Sequence, residues 1–211
     1  MSGSRAYGGV PADERRGQRR AALIEAALDG LQADGLAGVS VRTVCARARL
    51  TARYFYESFT DLDQLLIAVV DGVGDEVAAH ALAALDAQPP DDVAAQIRAA
   101  IEAGYLVVER DPRKATALLV AAAGHGPLRE RRQHLVTHFA DLVIDRLPML
   151  NGLGLAQRRQ ARTTALFLMG GAVEVIEAVL GGRLRLSRAR LVDQLTAMWL
   201  GTLESMAPFD R

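Results

Sequence analysis

Residues 39–59 decide the interpretation of this chain; they read VSVRTVCARARLTARYFYESF. Ser40 and Thr51 each stand where a helix would begin, because a hydroxyl side chain can accept a hydrogen bond from the free amides of a first helical turn. The pattern predicts two short helices, residues 40–48 and 51–59, joined by a tight turn. Two short capped helices at this spacing are typical of a helix-turn-helix.

The two predicted helices each have an apolar side and a side left for solvent. On the first, a single face collects Val41, Val44, Cys45 and Ala48, against which the second can pack Leu50, Phe55 and Phe59. The outer side of the second helix then presents Thr51, Ala52, Arg53, Tyr54 and Tyr56. A helical hairpin with all its aromatic side chains in the core is the alternative. Three successive aromatic residues, 54–56, cannot all face one core.

The outer side of the second helix has the chemistry of a DNA reader. An arginine can bridge O6 and N7 of a guanine in the major groove. Hydroxyl groups and the first turn of a helix can hold backbone phosphates. The segment therefore predicts an interface for double-stranded DNA.

The rest of the chain is predicted to be helical. Hydrophobic residues recur at helical spacing from Ala12 until Gly35, which ends the first helix by taking a left-handed cap. Later breaks come at Pro89-Pro90, Asp111-Pro112, residues 124–127, residues 151–154 and Gly181-Gly182. We expect an all-α fold of about nine helices and no strand, divided into a flexible tail (1–11), a helix-turn-helix domain (12–60) and a larger helical domain (61–211).

Charge and cysteine content limit the class of protein. The formal net charge is zero, yet residues 1–59 hold nine arginines against six acidic residues. A mildly basic head on an acidic body suits a protein that presents one end to phosphates. The single cysteine, Cys45, excludes an intramolecular disulfide and favours a reducing cytoplasm. The start of the chain lacks the apolar core of a secretory signal, and Glu174 and Glu177 argue against a membrane span in the apolar stretch 163–180.

The chain resembles the TetR family of transcription regulators over about residues 15–75. The matching positions are Ser40, Val44-Cys45, Ala48-Arg49, Thr51, Tyr56-Glu57-Ser58-Phe59 and Leu65-Leu66. The resemblance implies a sequence-specific DNA-binding regulator, in the usual case a repressor that a small-molecule ligand releases from its operator. It implies no cofactor and no enzymatic activity.

Three positions depart from the family pattern. Arg49 stands where the family has its turn glycine, so it must accept an unfavourable backbone angle or a differently shaped turn. Cys45 replaces an alanine, which packing should accept. Leu62 replaces a lysine that commonly contacts phosphate.

The resemblance also implies roles for individual residues. Phosphate contacts are expected from Ser40, Thr51 and Tyr56, and groove contacts from Arg42, Thr43, Ala52, Arg53 and Tyr54. A basic cluster of Arg15, Arg16, Arg19 and Arg20 would either neutralise DNA phosphates or simply form a solvated helix face.

The last two predicted helices, 156–180 and 187–206, are apolar around most of their surface. Such helices need two partners, their own core and another molecule. In the family they pair with their copies, so we expect a homodimer, which also supplies two reading helices to the DNA.

The middle helices are where the family places its ligand cavity. The candidates are polar or aromatic residues in apolar surroundings: Tyr105, His134, His138, Phe139, Phe167 and Glu174. Core packing or a surface position is the alternative for each of them. His134, His138 and Asp141 also share a helical face that could suit a metal, although no fourth ligand is recognisable.

Two other classes of function are the alternatives to a DNA-binding regulator. No glycine-rich phosphate loop, nucleophile elbow or paired His-Glu metal motif occurs in the sequence, which argues against an enzyme. A helical interaction module that has lost specific DNA binding is the second alternative. Arg49 and Leu62 favour it, whereas Arg53 and Tyr56 argue against it.

Overall fold

The structure, a computed structural model, describes residues 11–123, 126–146 and 155–205. Within these ranges the chain forms nine α-helices, one short 3₁₀ turn and no strand, which confirms the all-α prediction. It divides into two compact units, residues 1–69 and 70–211, so the boundary falls inside the fourth helix rather than before it. The expected tail lies outside the described residues except for its last residue, Pro11.

The helices follow the breaks seen in the sequence. The first unit contains α1 (Ala12–Asp34), the 3₁₀ turn (Leu36–Gly38), α2 (Val41–Ala48), α3 (Ala52–Tyr56) and the start of α4 (Leu62–Asp86). The second contains the rest of α4 and then α5 (Val93–Arg110), α6 (Pro112–Ala123), α7 (Pro127–Arg146), α8 (Leu155–Leu180) and α9 (Arg188–Ser205). The predicted loop at 151–154 lies outside the described residues.

Side-chain caps fix several helix starts. Asp92 accepts a hydrogen bond from the Ala95 amide at 2.8 Å, and Asp111 accepts one from the Arg113 amide at 3.1 Å. Pro112 follows Asp111 as the first residue of α6, where its missing amide has no cost. At the end of α1, Gly35 has φ 63° and ψ −168°. The φ is positive as expected, but the ψ is not that of a left-handed helix; this region is open essentially to glycine alone.

Buried apolar side chains hold the first unit together. Leu23 and Leu31 of α1, Val44 of α2 and Phe55 of α3 are almost completely shielded from solvent. Phe59, just after α3, is buried as well, and its ring lies 5.8 Å from that of Phe55. Because α3 is only five residues long, its position depends on these two phenylalanines rather than on its own hydrogen bonds.

The second unit is a bundle whose helix directions can be read from its ion pairs. Arg98 of α5 pairs with Asp193 of α9, and Arg188 of α9 pairs with Glu109 of α5, so these two helices are antiparallel. The core beside them contains Ile97, Leu168, Trp199 and Leu203. In the same way, α7 and α8 are antiparallel through the pairs Arg132–Glu177 and Asp141–Arg162.

Helix α8 is strongly apolar but poorly covered. Over Gln157–Leu180 it is long and apolar enough to cross a membrane, and only 17% of its most apolar window is buried. Phe167 on α8 is 75% exposed and Met198 on α9 is 57% exposed. Gly171 and Gly201 on the same two helices have open space where a Cβ would lie. These residues form an apolar surface, the α8/α9 face, that the described part of the chain leaves uncovered.

The turn between α2 and α3 contains the single non-glycine residue with positive φ in the described chain. Arg49 has φ 55° and ψ 38°, the left-handed conformation. Its amide donates to the Ala46 carbonyl at 3.3 Å, and the Leu50 amide donates to the Cys45 carbonyl at 2.9 Å. This pair of bonds is a Schellman motif, the helix ending in which glycine is usual. The turn therefore keeps its shape with an arginine at the position that favours glycine.

Replacing Arg49 with glycine should stabilise the protein. A non-glycine residue in the left-handed region destabilises the folded state by about 1–2 kcal/mol. Glycine removes this strain, but it also increases the conformational entropy of the unfolded chain, which offsets part of the stabilisation. We expect Arg49→Gly to raise the free energy of unfolding by about 0.5–1 kcal/mol, measured by urea denaturation. The Arg49→Ala variant, which removes the charge but keeps the strained angle, should differ little from the parent chain. A glycine variant less stable than the alanine variant would contradict this account.

Candidate nucleic-acid interface and ligand cavity

The start of α2 is closed by a reciprocal cap. The Ser40 Oγ accepts a hydrogen bond from the Thr43 amide at 3.2 Å, and the Thr43 Oγ1 accepts one from the Ser40 amide at 2.8 Å. The Thr43 hydroxyl also lies 3.0 Å from the Gly38 carbonyl, to which it donates. The expected cap at Ser40 is confirmed. The Thr43 side chain is half-buried and takes part in this cap, and the expected groove contact of Thr43 stays a prediction.

Thr51 lies at the N-cap of α3 in an extended conformation, but its side chain makes no capping hydrogen bond. The predicted hydroxyl cap at this position is therefore wrong. The Thr51 carbonyl instead accepts from the amides of Tyr54 and Phe55, which closes the first turn through the backbone. Thr51 is exposed, so its hydroxyl remains directed to groups outside the fold.

Four residues of α3 predicted to face outward are exposed. Tyr56 is the most prominent, with 61% of its surface accessible. The exposed set on α3 is Ala52, Arg53, Tyr54 and Tyr56, and Arg42 on α2 is also exposed. Phe55 between the tyrosines is completely buried. A buried ring flanked by exposed ones gives α3 one anchoring side and one side free to contact a partner.

Arginines of α1 support α3. The guanidinium of Arg19 stacks on the Tyr54 ring at 4.6 Å from its centroid, and that of Arg20 stacks on Phe59 at 4.9 Å. Cation–π contacts of this kind are typically worth about 0.5–1 kcal/mol at exposed sites. Arg19 and Arg20 of α1 therefore help to hold α3 and the residues after it in place, and a contact of the α1 arginines with phosphates stays a prediction.

Glu57 joins three of the arginines at the end of α3. Its carboxylate lies 3.0 Å from Nε of Arg53 and 3.6 Å from Nη2 of Arg19. Its backbone carbonyl accepts a hydrogen bond from Arg16 at 2.9 Å. Arg53 is 84% exposed in this arrangement, so the pair with Glu57 orients the guanidinium without burying it.

A cavity of about 230 Å³ lies inside the second unit. Tyr105 and Phe139 line it, as the sequence predicted for a ligand site. The other four candidates are not part of its wall in the described structure: His134 and His138 are exposed on α7, and Phe167 and Glu174 are exposed on α8. These side chains lie on the solvent sides of their helices, so the structure does not bring them to this cavity.

The acidic residue at the cavity is Glu177, three positions after the predicted Glu174. Glu177 is only 4% exposed and accepts two hydrogen bonds from Arg132, at 2.8 and 2.7 Å. Glu174 is an exposed partner of Arg183, at 3.0 Å, and lies 3.6 Å from Arg132. The rule that a buried carboxylate needs a partner is satisfied, but by a different glutamate.

Other titratable groups near the cavity are accounted for by their neighbours. Burial raises the pKa of Tyr105, and the nearby Glu109 carboxylate adds to this effect. Tyr105 is therefore a neutral hydroxyl at physiological pH. Asp141, once considered with His134 and His138 as a metal face, pairs with Arg162 at 3.2 Å. The described part of the chain contains no group of three side chains that could hold a metal ion.

Cys45 belongs to the packing of α2. Its side chain is buried, and burial raises the pKa of the thiol above its ordinary value. A thiol of this kind is a poor nucleophile, because the reactive species is the thiolate.

Comparison with known proteins identifies structures with a similar architecture. Neither a protein-family model nor a curated protein sequence matches the chain. Solved structures do match. A TetR-family transcriptional regulator from Streptomyces coelicolor has a TM-score of 0.70 at 19% identity, over 92% of this chain and 84% of that one. A TetR-like transcriptional regulator from Rhodococcus sp. RHA1 has a TM-score of 0.63 at 20% identity, over 92% and 99%.

A further transcriptional regulator from Rhodococcus sp. Rha1 has a TM-score of 0.65 at 22% identity, covering 88% of this chain and 96% of that one. These likenesses extend over nearly the whole chain rather than the helix-turn-helix alone. The chain therefore has the TetR-like fold, and the expected fold is confirmed. At such identities the comparison establishes the fold, while the function has to be argued from the site.

Replacing Arg132 alone should destabilise the protein much more than replacing Arg132 and Glu177 together. Arg132→Met leaves a buried carboxylate without its main partner, so we expect a loss of about 3 kcal/mol in the free energy of unfolding. Adding Glu177→Met should recover a large part of that loss. As a control, Arg183→Met breaks the exposed pair with Glu174 and should cost less than about 1 kcal/mol. Additive losses in the double variant would show that the pair is not coupled.

Proposed function

We propose that the chain is a sequence-specific DNA-binding transcription regulator of the TetR type, acting in the cytoplasm as a homodimeric repressor that a small-molecule ligand releases. The observation that carries this proposal is the exposed side of α3. An arginine and two tyrosines project from a short helix whose other side is fixed by Phe55 and Phe59. A rigidly held helix with hydrogen-bonding side chains outward suits the major groove.

The residues divide into two roles on the DNA. Arg53, and Arg42 from α2, would read base edges, with an arginine bridging guanine O6 and N7. The hydroxyls of Thr51, Tyr56 and Ser40 would hold backbone phosphates and set the register. The exposed positions of Ala52 and Tyr54 on α3 support a place in the groove, with Tyr54 oriented by Arg19.

A second copy of the chain is the proposed partner of the α8/α9 face. Phe167, Gly171 and Glu174 are spaced to share one side of α8, and Met198 and Gly201 are both exposed on α9. Large apolar side chains beside glycines allow two helices to approach closely. One reading helix contacts few base pairs, whereas a two-fold dimer could place two of them in major grooves about 34–36 Å apart.

Helix α4 is the proposed link between ligand and DNA. It begins at Leu62, immediately after the helix-turn-helix, and its residues from Val70 to Leu85 line the cavity. A ligand can change DNA affinity only if it binds two conformations unequally. A shift of α4 on ligand binding would change the spacing of the two reading helices and lower operator affinity.

A helical interaction module without DNA binding is the second candidate. The strained Arg49 turn and the leucine at position 62 are the observations in its favour. The turn nonetheless has the hydrogen bonds of a regular helix end, and the reading side of α3 is intact. We therefore place DNA binding first.

Binding to DNA from immediately upstream of the chain's own gene tests the proposal. Titrated against salt and random DNA, the protein should bind at least about a thousandfold more tightly than to random sequence, and affinity should fall steeply with salt. Arg53→Ala should lose about 1–3 kcal/mol and relax base preference at one position. Tyr56→Phe should weaken binding to all sequences alike.

Arg110→Ala is the matched control for Arg53→Ala. It removes one exposed arginine outside the helix-turn-helix and should leave both affinity and salt slope unchanged. Loss of base preference in the Tyr56 variant rather than the Arg53 variant would reverse the assigned roles. No binding to any DNA at low salt would favour the interaction module.

Substitution on the α8/α9 face should convert the dimer to a monomer. Phe167→Glu places a charge at the centre of an apolar contact, where an unpaired carboxylate is costly to bury. Sedimentation equilibrium should show a dimer for the parent chain and a shift to monomer for this variant. Ala79→Glu, an exposed substitution on α4, should leave the dimer intact. A parent chain that is monomeric at micromolar concentration would refute the proposed dimer.

A further inference from the structure

The cavity of the second unit extends along two helices that run in the same direction. Asp71 of α4 pairs with Arg131 of α7, and Asp86 of α4 pairs with Arg146 of α7. Leu135 of α7 would contact a Cβ at Gly74 of α4, which fits the same order. Later residues of α4 therefore contact later residues of α7, which means that the two helices are parallel. The cavity between them extends along the axis of α4.

The length of the cavity follows from the residues that line it. On α4 these extend from Val70 to Leu85, and on α7 from Arg132 to Arg146. At 1.5 Å per residue, fifteen residues of α4 correspond to about 22 Å. The space is therefore elongated along these two helices, and it suits an extended chain better than a compact ring system.

The wall of the cavity is apolar apart from a few groups, and each charged side chain on it already has an ion-pair partner of opposite charge. Only Arg132, Glu177 and Arg146 carry charge among the described lining residues. Arg132 is bound by Glu177 through two hydrogen bonds, and Arg146 lies 2.7 Å from both carboxylate oxygens of Asp86. An anionic ligand would compete with a carboxylate already in place. A cationic ligand would meet a guanidinium beside the only carboxylate on the wall.

Hydrogen-bonding capacity nevertheless remains at the wall. Arg132 donates to Glu177 from Nε and Nη2, and no described residue accepts a hydrogen bond from its Nη1. Tyr105, whose hydroxyl is neutral, is also a lining residue. A carbonyl or hydroxyl oxygen on a ligand could pair with either group without displacing Glu177. Either contact would satisfy a polar ligand group inside an otherwise apolar cavity.

We propose that the ligand of this cavity is an uncharged, elongated aliphatic molecule with a hydrogen-bonding oxygen. The inference rests on the proposed function for the cavity's role and deepens it by assigning a chemical class to the effector. The combination of an elongated apolar cavity and neutralised wall charges carries it. Burying an unmatched ligand charge beside a closed ion pair would cost more than the apolar contact gains.

Four probes, each with a ten-carbon hydrocarbon group, separate shape from charge. Decanol is neutral and extended, decanoate is anionic, decyltrimethylammonium carries a cationic headgroup, and adamantanol is neutral but compact. Trp199 lines the cavity and is the chain's single tryptophan, so its fluorescence reports occupancy. We expect decanol to bind at least about tenfold more tightly than each of the other three. Equal or tighter binding of a charged probe, or of adamantanol, would overturn the proposal, as would absence of decanol binding.

Two neighbouring alanines of α4 provide a matched pair of variants. Ala78 lines the cavity, whereas Ala79 is exposed. Ala78→Leu should fill part of the cavity and weaken decanol binding at least about tenfold, while Ala79→Leu should leave it unchanged. Thermal denaturation of both variants checks that each is folded. Equal effects of the two substitutions would mean that decanol binds elsewhere, and the proposal would fail.

Measurements of DNA affinity distinguish this inference from the proposed function. Decanol binding that leaves operator affinity unchanged would refute ligand release by this class of molecule while retaining the cavity's selectivity. Specific DNA binding in a protein that ignores decanol would refute the ligand class and leave the regulator proposal standing.

Discussion

Burial of Phe55 and Phe59 is the interaction on which the exposed side of α3 depends. Helix α3 has five residues and too few hydrogen bonds to persist alone. Both phenylalanines are almost fully buried, which fixes the rotation of α3 about its axis. Tyr54 and Tyr56 are then forced outward because they flank Phe55. The side that meets solvent is a consequence of which ring is inside.

Most helix boundaries could be predicted because their signals are local. The caps at Ser40, Asp92 and Asp111 depend on residues within three positions of the helix start. Thr51 has the same local signal, yet its hydroxyl makes no capping bond. The family resemblance places Thr43 at the groove, whereas the part of its hydroxyl in the Ser40 cap was not predicted. Competition between local partners is not visible in residue type alone.

The cavity was harder to predict, for a physical reason. Helix α8 is apolar around most of its surface, so its hydrophobic pattern does not indicate which side of the helix is buried. Phe167 was therefore expected inside and is exposed, and Glu174 was preferred to the buried Glu177. The wall of the cavity comes from six helices, and only their packing places Arg132 opposite Glu177. Tyr105 and Phe139 could be found because each is a large side chain on the buried side of its own helix.

The ion pair between Arg53 and Glu57 would have to open if Arg53 contacted a DNA base. An exposed ion pair at i,i+4 is worth about 0.3–0.5 kcal/mol, and Arg53 is largely solvated within it. A bidentate contact to guanine is worth about 1–3 kcal/mol of discrimination. On these magnitudes the guanidinium would leave Glu57 for a guanine but would gain little from a base that offers one weak acceptor. Glu57 would then repel a nearby phosphate unless Arg19 still neutralised it. The stacking of Arg19 on Tyr54 keeps that second guanidinium beside the carboxylate, so Arg19 acts on the exposed side of α3 through charge as well as packing.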